Sequence, residues 1–474
     1  MIFNSVVFLV FFVCFFILYW IIDKKLPVSF RNAFIIAASY MFYGWWDWRF
    51  LSLIVFSSLL DYVTGLLLGN ETRLKRRKLY LAASLTGNLG ILGFFKYFNF
   101  FASSLQAVLS PFSIHPGFVT LHIILPVGIS FYTFQTLSYT LDVYYGKMKP
   151  TRNILSFFAF VSFFPQLVAG PIERASHLLK QFGERKTFRQ EDMVYGLRLA
   201  LWGFFKKIVI ADNFGILADH IFNPGQPPSG LLTLAGSLFF ALQIYTDFSG
   251  YSDIAIGIAK MLGFDLMQNF ATPYFAASFG EFWHRWHISL STWFRDYVYI
   301  PLGGNRGNRS RVSANIMITF LLSGLWHGAD ITFLIWGGLH GSALVVEKRI
   351  KHKVNKYIYG PLAMAIVILL WIPFRAKNYD QFVKLSASLV HFSTYSFDRL
   401  GRVLHDFSLP RFYALLMVTV FFLVLEYRLK WQDFSQWLSG KPRMMRMAFY
   451  YLLLVLIFVV GNFSVKPYFI YFQF

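Results

Sequence analysis

The stretch FLLSGLWHGADITFLIWGGLHG, Phe320 to Gly341, is almost wholly apolar, yet it carries His327 between Trp326 and Gly328. An ionisable side chain in a membrane segment is costly and is by default a functional-site hypothesis. Burial disfavours the imidazolium, so the ring is expected to be neutral and able to take a proton. The competing expectation is a core histidine hydrogen-bonded to a neighbouring helix. The apolar pieces on either side, 313–326 and 331–346, each fall short of the ~20 residues a helix needs to cross a bilayer. Their junction is therefore expected inside the membrane, facing a cavity, with Gly324 and Gly328 leaving backbone room.

A second group lies in EFWHRWHISLSTWFRDYVYIPLGGNR, Glu281 to Arg306. His284, His287 and Ser291 recur at i, i+3 and i+7, which is one helix face. Trp283, Trp286 and Trp293 read as a membrane-interface surface, and an interfacial helix anchored by Trp and Arg explains them without chemistry. Arg285, Arg295 and Arg306 add positive charge, and PLGGNRGNR offers backbone N–H groups suited to phosphate. Third, QIYTDFSGYSDIAIG places Asp247 and Asp253 in or beside an apolar helix. An unpaired carboxylate there costs several kcal/mol, so each needs a partner. A histidine or arginine of 281–306 is expected to supply one, and a purely structural ion pair is the plainer reading. His284, His287, His327 and His340 lack the third fixed ligand and the carboxylates that zinc wants, so no metal site is expected.

These residues must be held by membrane helices. Of 474 residues, 56% are hydrophobic, 20% aromatic and 14% charged. Apolar runs of about 17–25 residues recur from end to end, the length of a bilayer's hydrocarbon core. The expected fold is all-α and integral to the membrane, a polytopic bundle of about 11–13 spans including re-entrant helices. Continuous rather than alternating runs exclude a β-barrel. The single cysteine, Cys14, excludes a disulfide framework. The net charge of +21 gathers in short loops, which fits positive-inside topology better than nucleic-acid binding.

The first run has no basic residue before it and Asp23–Lys25 after it, so it reads as an uncleaved span with its N-terminus outside the cytoplasm. Spans at 31–48, 49–69, 79–103 and 118–145 then put ETRLKRRK (Glu71–Lys78) and GKMKPTR (Gly146–Arg152) on the cytoplasmic side. Pro165 and Pro171 break the next run, so 152–218 is expected to be re-entrant or interfacial, with Lys206 and Lys207 snorkelling to the cytoplasmic surface. Residues 231–263 form a long apolar helix bent near Gly250, and 272–312 are amphipathic and basic. EKRIKHKVNK (Glu347–Lys356) returns the chain to the cytoplasm. Spans at 359–375, 412–426 and 447–463 close the bundle, and 376–411 is a long outside segment. No linker separates a soluble domain. The chain is expected to be one membrane domain, 1–474, with N-terminal helices 1–150, a core 151–346 and C-terminal helices 347–474.

On these grounds an acyl- or group-transferring enzyme and a transporter fit equally. The Glu281–Arg306 block followed by SGLWHGADITFLIWGGLHG resembles the signature of the membrane-bound O-acyltransferase family. FFKYFNFF (Phe94–Phe101), LPVGISFYTFQTLSYTLDVY, FPQLVAGPI, DFSGYSDIAIG and the terminal FIYFQF resemble its bacterial alginate O-acetyltransferase branch. The matches run in order along most of the chain.

The resemblance implies a helical bundle around a transmembrane tunnel, with the family's invariant histidine at His327 and a second histidine at His287. His284 stands where FWRRWH would have arginine, which argues against a catalytic role for it. His327 would act as general base, while His287 or a backbone N–H would orient the donor or stabilise the oxyanion. Trp326, Asp247 and Asp253 would support them, and Arg285, Arg295 and Arg306 would meet the phosphates of acetyl-CoA, a co-substrate rather than a bound cofactor. The implied partners are the lipid bilayer, a periplasmic SGNH-type acetyltransferase and, through it, an exopolysaccharide. The implied location is a bacterial inner membrane. D-alanyl transfer to teichoic acid, O-acetylation of peptidoglycan or cellulose, a transporter without catalysis and a structural membrane subunit remain as rivals.

Overall fold

The computed structural model describes residues 1–112, 121, 123–168, 170–222, 229–350 and 355–463. The terminal FIYFQF and part of EKRIKHKVNK lie outside them. The described chain is helical throughout and has no strand among the described residues. It divides into two compact units, Met1–Asp192 with Ala259–Met267, and Met193–Ile258 with Gln268–Phe474. Among the described residues, six helical stretches are long and apolar enough to cross a membrane, and this is a multi-pass membrane protein.

In the first unit, α1 (Val6–Lys25), α2 (Val28–Asp47), α3 (Leu51–Asn70) and α4 (Leu74–Leu92) follow the predicted order. The basic stretch at Lys75–Lys78 forms the first turn of α4 instead of a loop. Beyond a short π-helical stretch comes α5 (Phe98–Leu109), and then α6 (Ile129–Tyr144). The span expected over 118–145 is thus helical only from Ile129. Gly128, at φ +74°, starts it in a conformation glycine adopts freely. Every residue from Ile129 to Val143 is buried, so α6 is wrapped by protein. Buried polar groups pair here. Arg31 meets Asp23 at 3.1 Å, and Asp61 accepts from Asn88 (2.8 Å) and Thr140 (2.7 Å). The helix α7 (Ile154–Ser162) stops before Phe163 and Pro165, and only short helical turns follow up to Gly183, as the proline break predicts.

The proline-broken part of 152–218 is its first half only. From Gln190 the chain is continuously helical, as α8 (Gln190–Phe204), a seven-residue π-helical stretch (Phe205–Ala211) and α9 (Asp212–Ile221). At 1.5 Å per residue this rod is about 48 Å long, enough to cross a bilayer. It lies against α10 (Gly230–Met261) through a seam of small residues. A Cβ on Gly203 would sit 2.5 Å from the Gly250 oxygen, and one on Gly257 would sit 2.5 Å from the Gly196 oxygen. Gly250 therefore serves close helix packing within a helix that runs unbroken from Gly230 to Met261.

The segment 272–312 contains two short helices, α11 (Phe279–Arg285) and α12 (Ile288–Phe294). The apolar pieces around His327 are parts of α13 (Arg309–His327, 19 residues) and α14 (Ile331–Ile350, 20 residues). Both are longer than expected because helix continues through polar flanks that a hydropathy reading leaves out. After these come α15 (Lys356–Leu369), α16 (Trp371–Arg375), α17 (Tyr379–Val390), α18 (Phe397–Asp406), α19 (Leu409–Leu429), α20 (Phe434–Ser439) and α21 (Arg443–Val460).

Candidate active site

His327 is the last residue of α13 and is 4% exposed. Its ring packs edge-on against Trp326 (5.0 Å between centroids), Trp336 (5.0 Å) and Phe374 (5.3 Å). Close approach of α13 and α14 makes this possible. A Cβ on Gly324 would lie 2.2 Å from the Phe333 oxygen, one on Gly328 would lie 2.0 Å from the Phe333 ring, and one on Gly337 would lie 2.3 Å from the Phe320 oxygen. The room expected at Gly324 and Gly328 exists, but Phe333 fills it.

His287 is fully buried, and its ring meets Trp326 at 5.9 Å between centroids. The two predicted histidines thus both contact one indole. His287 does not share a helix face with His284 and Ser291, because the chain breaks between α11 and α12, with His287 at φ +42°. Two backbone bonds hold this break, from Ala271 N–H to Arg285 O (3.0 Å) and from Ile288 N–H to Asn269 O (2.9 Å). His284 is exposed and bonds its own helix at Gly280 O. Nor do the tryptophans form an interfacial surface: Trp286 and Trp293 are buried, and Trp283 is half-buried.

Asn269, which sequence reasoning missed, fixes His287. Its Oδ1 faces His287 Nδ1 (3.1 Å), Ser289 N (3.3 Å) and Ser289 Oγ (2.9 Å), while its Nδ2 donates to Ser252 Oγ (3.1 Å). The Ser289 N–H can only donate, so the atom facing it must be the amide oxygen. That oxygen accepts, which puts the proton of a neutral His287 on Nδ1 and the lone pair on Nε2. His287 thus presents an acceptor. Phe248 packs edge-on against the same ring at 4.6 Å.

Asp247 and Asp253 pair elsewhere than expected. Lys206 Nζ meets Asp253 at 2.7 Å, and Lys207 Nζ meets Asp247 at 2.8 Å and Asp212 at 2.7 Å. Neither lysine snorkels; both are buried. The π-helical stretch that holds them widens the helix where two consecutive lysines turn towards α10, a deformation often found at special sites. Tyr245 extends the network by donating to Glu426 on α19.

A cavity of about 570 Å3 opens between α11–α12 and α13–α14. Ile316, Thr319, Phe320 and Ser323 of α13 line it, at helical spacing, and His327 is one turn further on the same stripe. Its walls are mainly apolar, and Arg295, Tyr299, Asn305 and Lys348 form a polar part of the lining. Of the three arginines singled out, only Arg295 lines the cavity. Arg285 pairs with Glu281 and stacks on Trp431 at 4.5 Å, and Arg306 is exposed.

Two histidines that share a tryptophan contact and an apolar cavity ending one turn away fit group transfer, and comparison with known proteins decides which kind. Residues 149–372 match the membrane-bound O-acyltransferase family. A probable alginate O-acetylase AlgI of Azotobacter vinelandii is 40% identical over 449 residues, covering 94% of this chain and 88% of its own. The chain belongs to the membrane-bound O-acyltransferase family. It is an O-acyltransferase. A probable alginate O-acetylase AlgI of Pseudomonas putida is 42% identical over 408 residues, 85% of this chain and 83% of that one. A peptidoglycan O-acetyltransferase of Helicobacter pylori is 36% identical over 411 residues, 80% of this chain and 77% of its own. The family match contains His287, His327, Asn269 and the whole cavity lining.

Proposed function

We propose that this acyltransferase moves acetyl groups from acetyl-CoA on the cytoplasmic side to an acceptor on the other face of the membrane, for O-acetylation of an exopolysaccharide such as alginate. The observation that carries the reading is the α13 stripe, which runs from the cavity wall to His327. A thioester lying along it brings its reactive end within a turn of the imidazole. Entry to the last turn requires the aromatic side chains around His327 to move aside. The names of the relatives, alginate O-acetylases at about 40% identity over most of both chains, support acetyl transfer and this polysaccharide class.

In the proposed reaction His327 takes the proton of the acceptor hydroxyl as its oxygen attacks the thioester carbonyl. The carbon–sulfur bond then breaks, and the thiolate leaves with the proton from the imidazolium. With its lone pair on Nε2, His287 suits holding the acceptor hydroxyl better than donating to the oxyanion, a task left to backbone N–H groups. Arg295 and Lys348, both in the cavity lining, would meet the CoA phosphates. The acceptor is taken to be a periplasmic SGNH-type acetyltransferase.

Protein in nanodiscs is incubated with acetyl-labelled acetyl-CoA and candidate partners. Transfer is expected with an SGNH-type partner and is expected to vanish in His327→Ala while the variant's elution profile and melting temperature stay unchanged. Normal product acetylation by His327→Ala would overturn the catalytic role and favour a transporter. Transfer only from an acyl carrier protein would shift the reading to D-alanylation.

A further inference from the structure

The segment from Asn378 to Ser408 joins two candidate spans, one ending at Arg375 and one starting at Leu409. Both its ends are therefore tied to one membrane boundary. A third tie comes from α10, itself a candidate span. Ser229 Oγ donates to Thr394 O (2.6 Å), Gly230 N–H donates to Thr394 Oγ1 (3.0 Å), and the Thr233 and Ser388 hydroxyls lie 2.9 Å apart. A Cβ on Gly230 would lie 2.1 Å from the Tyr395 ring, so the tip of the segment is packed against the beginning of that span. Thr394 consequently sits level with the N-terminal end of that candidate span.

At that level the segment points large apolar side chains outward. Phe392 and Phe397 are 80% and 81% exposed, and Val390 is 69% exposed. Tyr379, Val383 and Val390 are all exposed, at spacings of four and seven, on one side of α17. The opposite side of that helix is buried at Leu385 and Ser388. A helix with one side against protein and an apolar stripe outward, flanked by the exposed Asp380 and Lys384, suits the boundary between lipid and water.

We propose that Tyr379, Val383, Val390, Phe392 and Phe397 insert into the lipid headgroup and acyl boundary of the leaflet where α10 begins. The 376–411 segment is on this view an embedded collar, not a water-exposed loop. Continuity with the lipid-facing spans on both sides selects lipid over a soluble partner, since aromatic side chains concentrate at this interface.

The chain has one cysteine, so Cys14→Ser gives a cysteine-free background. Single cysteines at Val390, Phe392 and Phe397, all exposed, are labelled with an environment-sensitive fluorophore in nanodiscs of phosphatidylethanolamine and phosphatidylglycerol. Arg402→Cys, on the other side of α18 from Phe397, is the water-facing reference. Probes at 390, 392 and 397 are expected to be quenched by doxyl-labelled lipids and at least fivefold less by iodide than the probe at 402. Quenching by iodide at 392 and 397 would overturn the proposal. So would shielding from both quenchers, which would mean that protein covers the face. Unchanged elution and melting temperature confirm that each variant is folded.

Discussion

Asn269 shows how a side chain with no reactive atom can set the chemistry of one that has. Three donors converge on its Oδ1, and the His287 tautomer follows. Asn269→Ala would leave buried donors without an acceptor, at about 1–3 kcal/mol for each such group. The expected outcome is a lower melting temperature and an acyl-transfer rate at least tenfold down, with Asn269→Asp recovering part of the rate because it keeps the accepting oxygen. Equal rates in the two variants would show that the tautomer is immaterial. The buried lysines make a parallel case. Lys207→Met removes the cation shared by Asp247 and Asp212, and breaking a buried pair costs about 3–5 kcal/mol. Thermal unfolding in detergent is expected to reveal that loss, and a second change, Asp247→Asn, is expected to restore part of it. The need for partners at Asp247 and Asp253 was legible from their apolar setting. Their identity was not, because Lys206 and Lys207 lie at least 40 positions away in sequence and read locally as snorkelling residues.

Between elements, the decisive feature is contact without side chains. Gly196, Gly203, Gly250 and Gly257 let the α8–α9 rod touch α10 backbone to backbone, which brings Lys206 and Lys207 within reach of Asp253 and Asp247. Gly203→Ala is expected to lower stability by about 1–3 kcal/mol, since overpacking forces the helices apart. Gly90→Ala, where an added Cβ meets nothing within 4 Å, is expected to leave the melting temperature within a few degrees of the parent. Equal shifts at the two positions would sink the role of the seam. In sequence a glycine at a seam and a glycine at a bend look alike, so the helix contact at Gly250 was not legible. The left-handed backbone at His287 was equally illegible: the i, i+3, i+7 spacing suggests one helix, and only the pairing of residues 269–271 with 285–288 shows the break.

Across the whole molecule, charge along the chain predicts orientation. With Cys14→Ser in place, Lys78→Cys, an exposed position, is expected to react with a membrane-impermeant maleimide in inverted vesicles and not in intact cells. Labelling in intact cells would reverse the predicted topology. By itself the sequence determined that this is a helical membrane protein of the O-acyltransferase family, roughly where its helices run, and that His327 lies buried among apolar residues. Such properties are local, because each segment in lipid must satisfy its own backbone hydrogen bonds and so announces itself by composition. Tertiary structure decided that His287 and His327 share Trp326, that Asn269 selects a tautomer, which lysine meets which aspartate, and where the cavity stops. Those outcomes depend on contacts between residues as far apart as Lys206 and Asp253, which no short window along the chain contains.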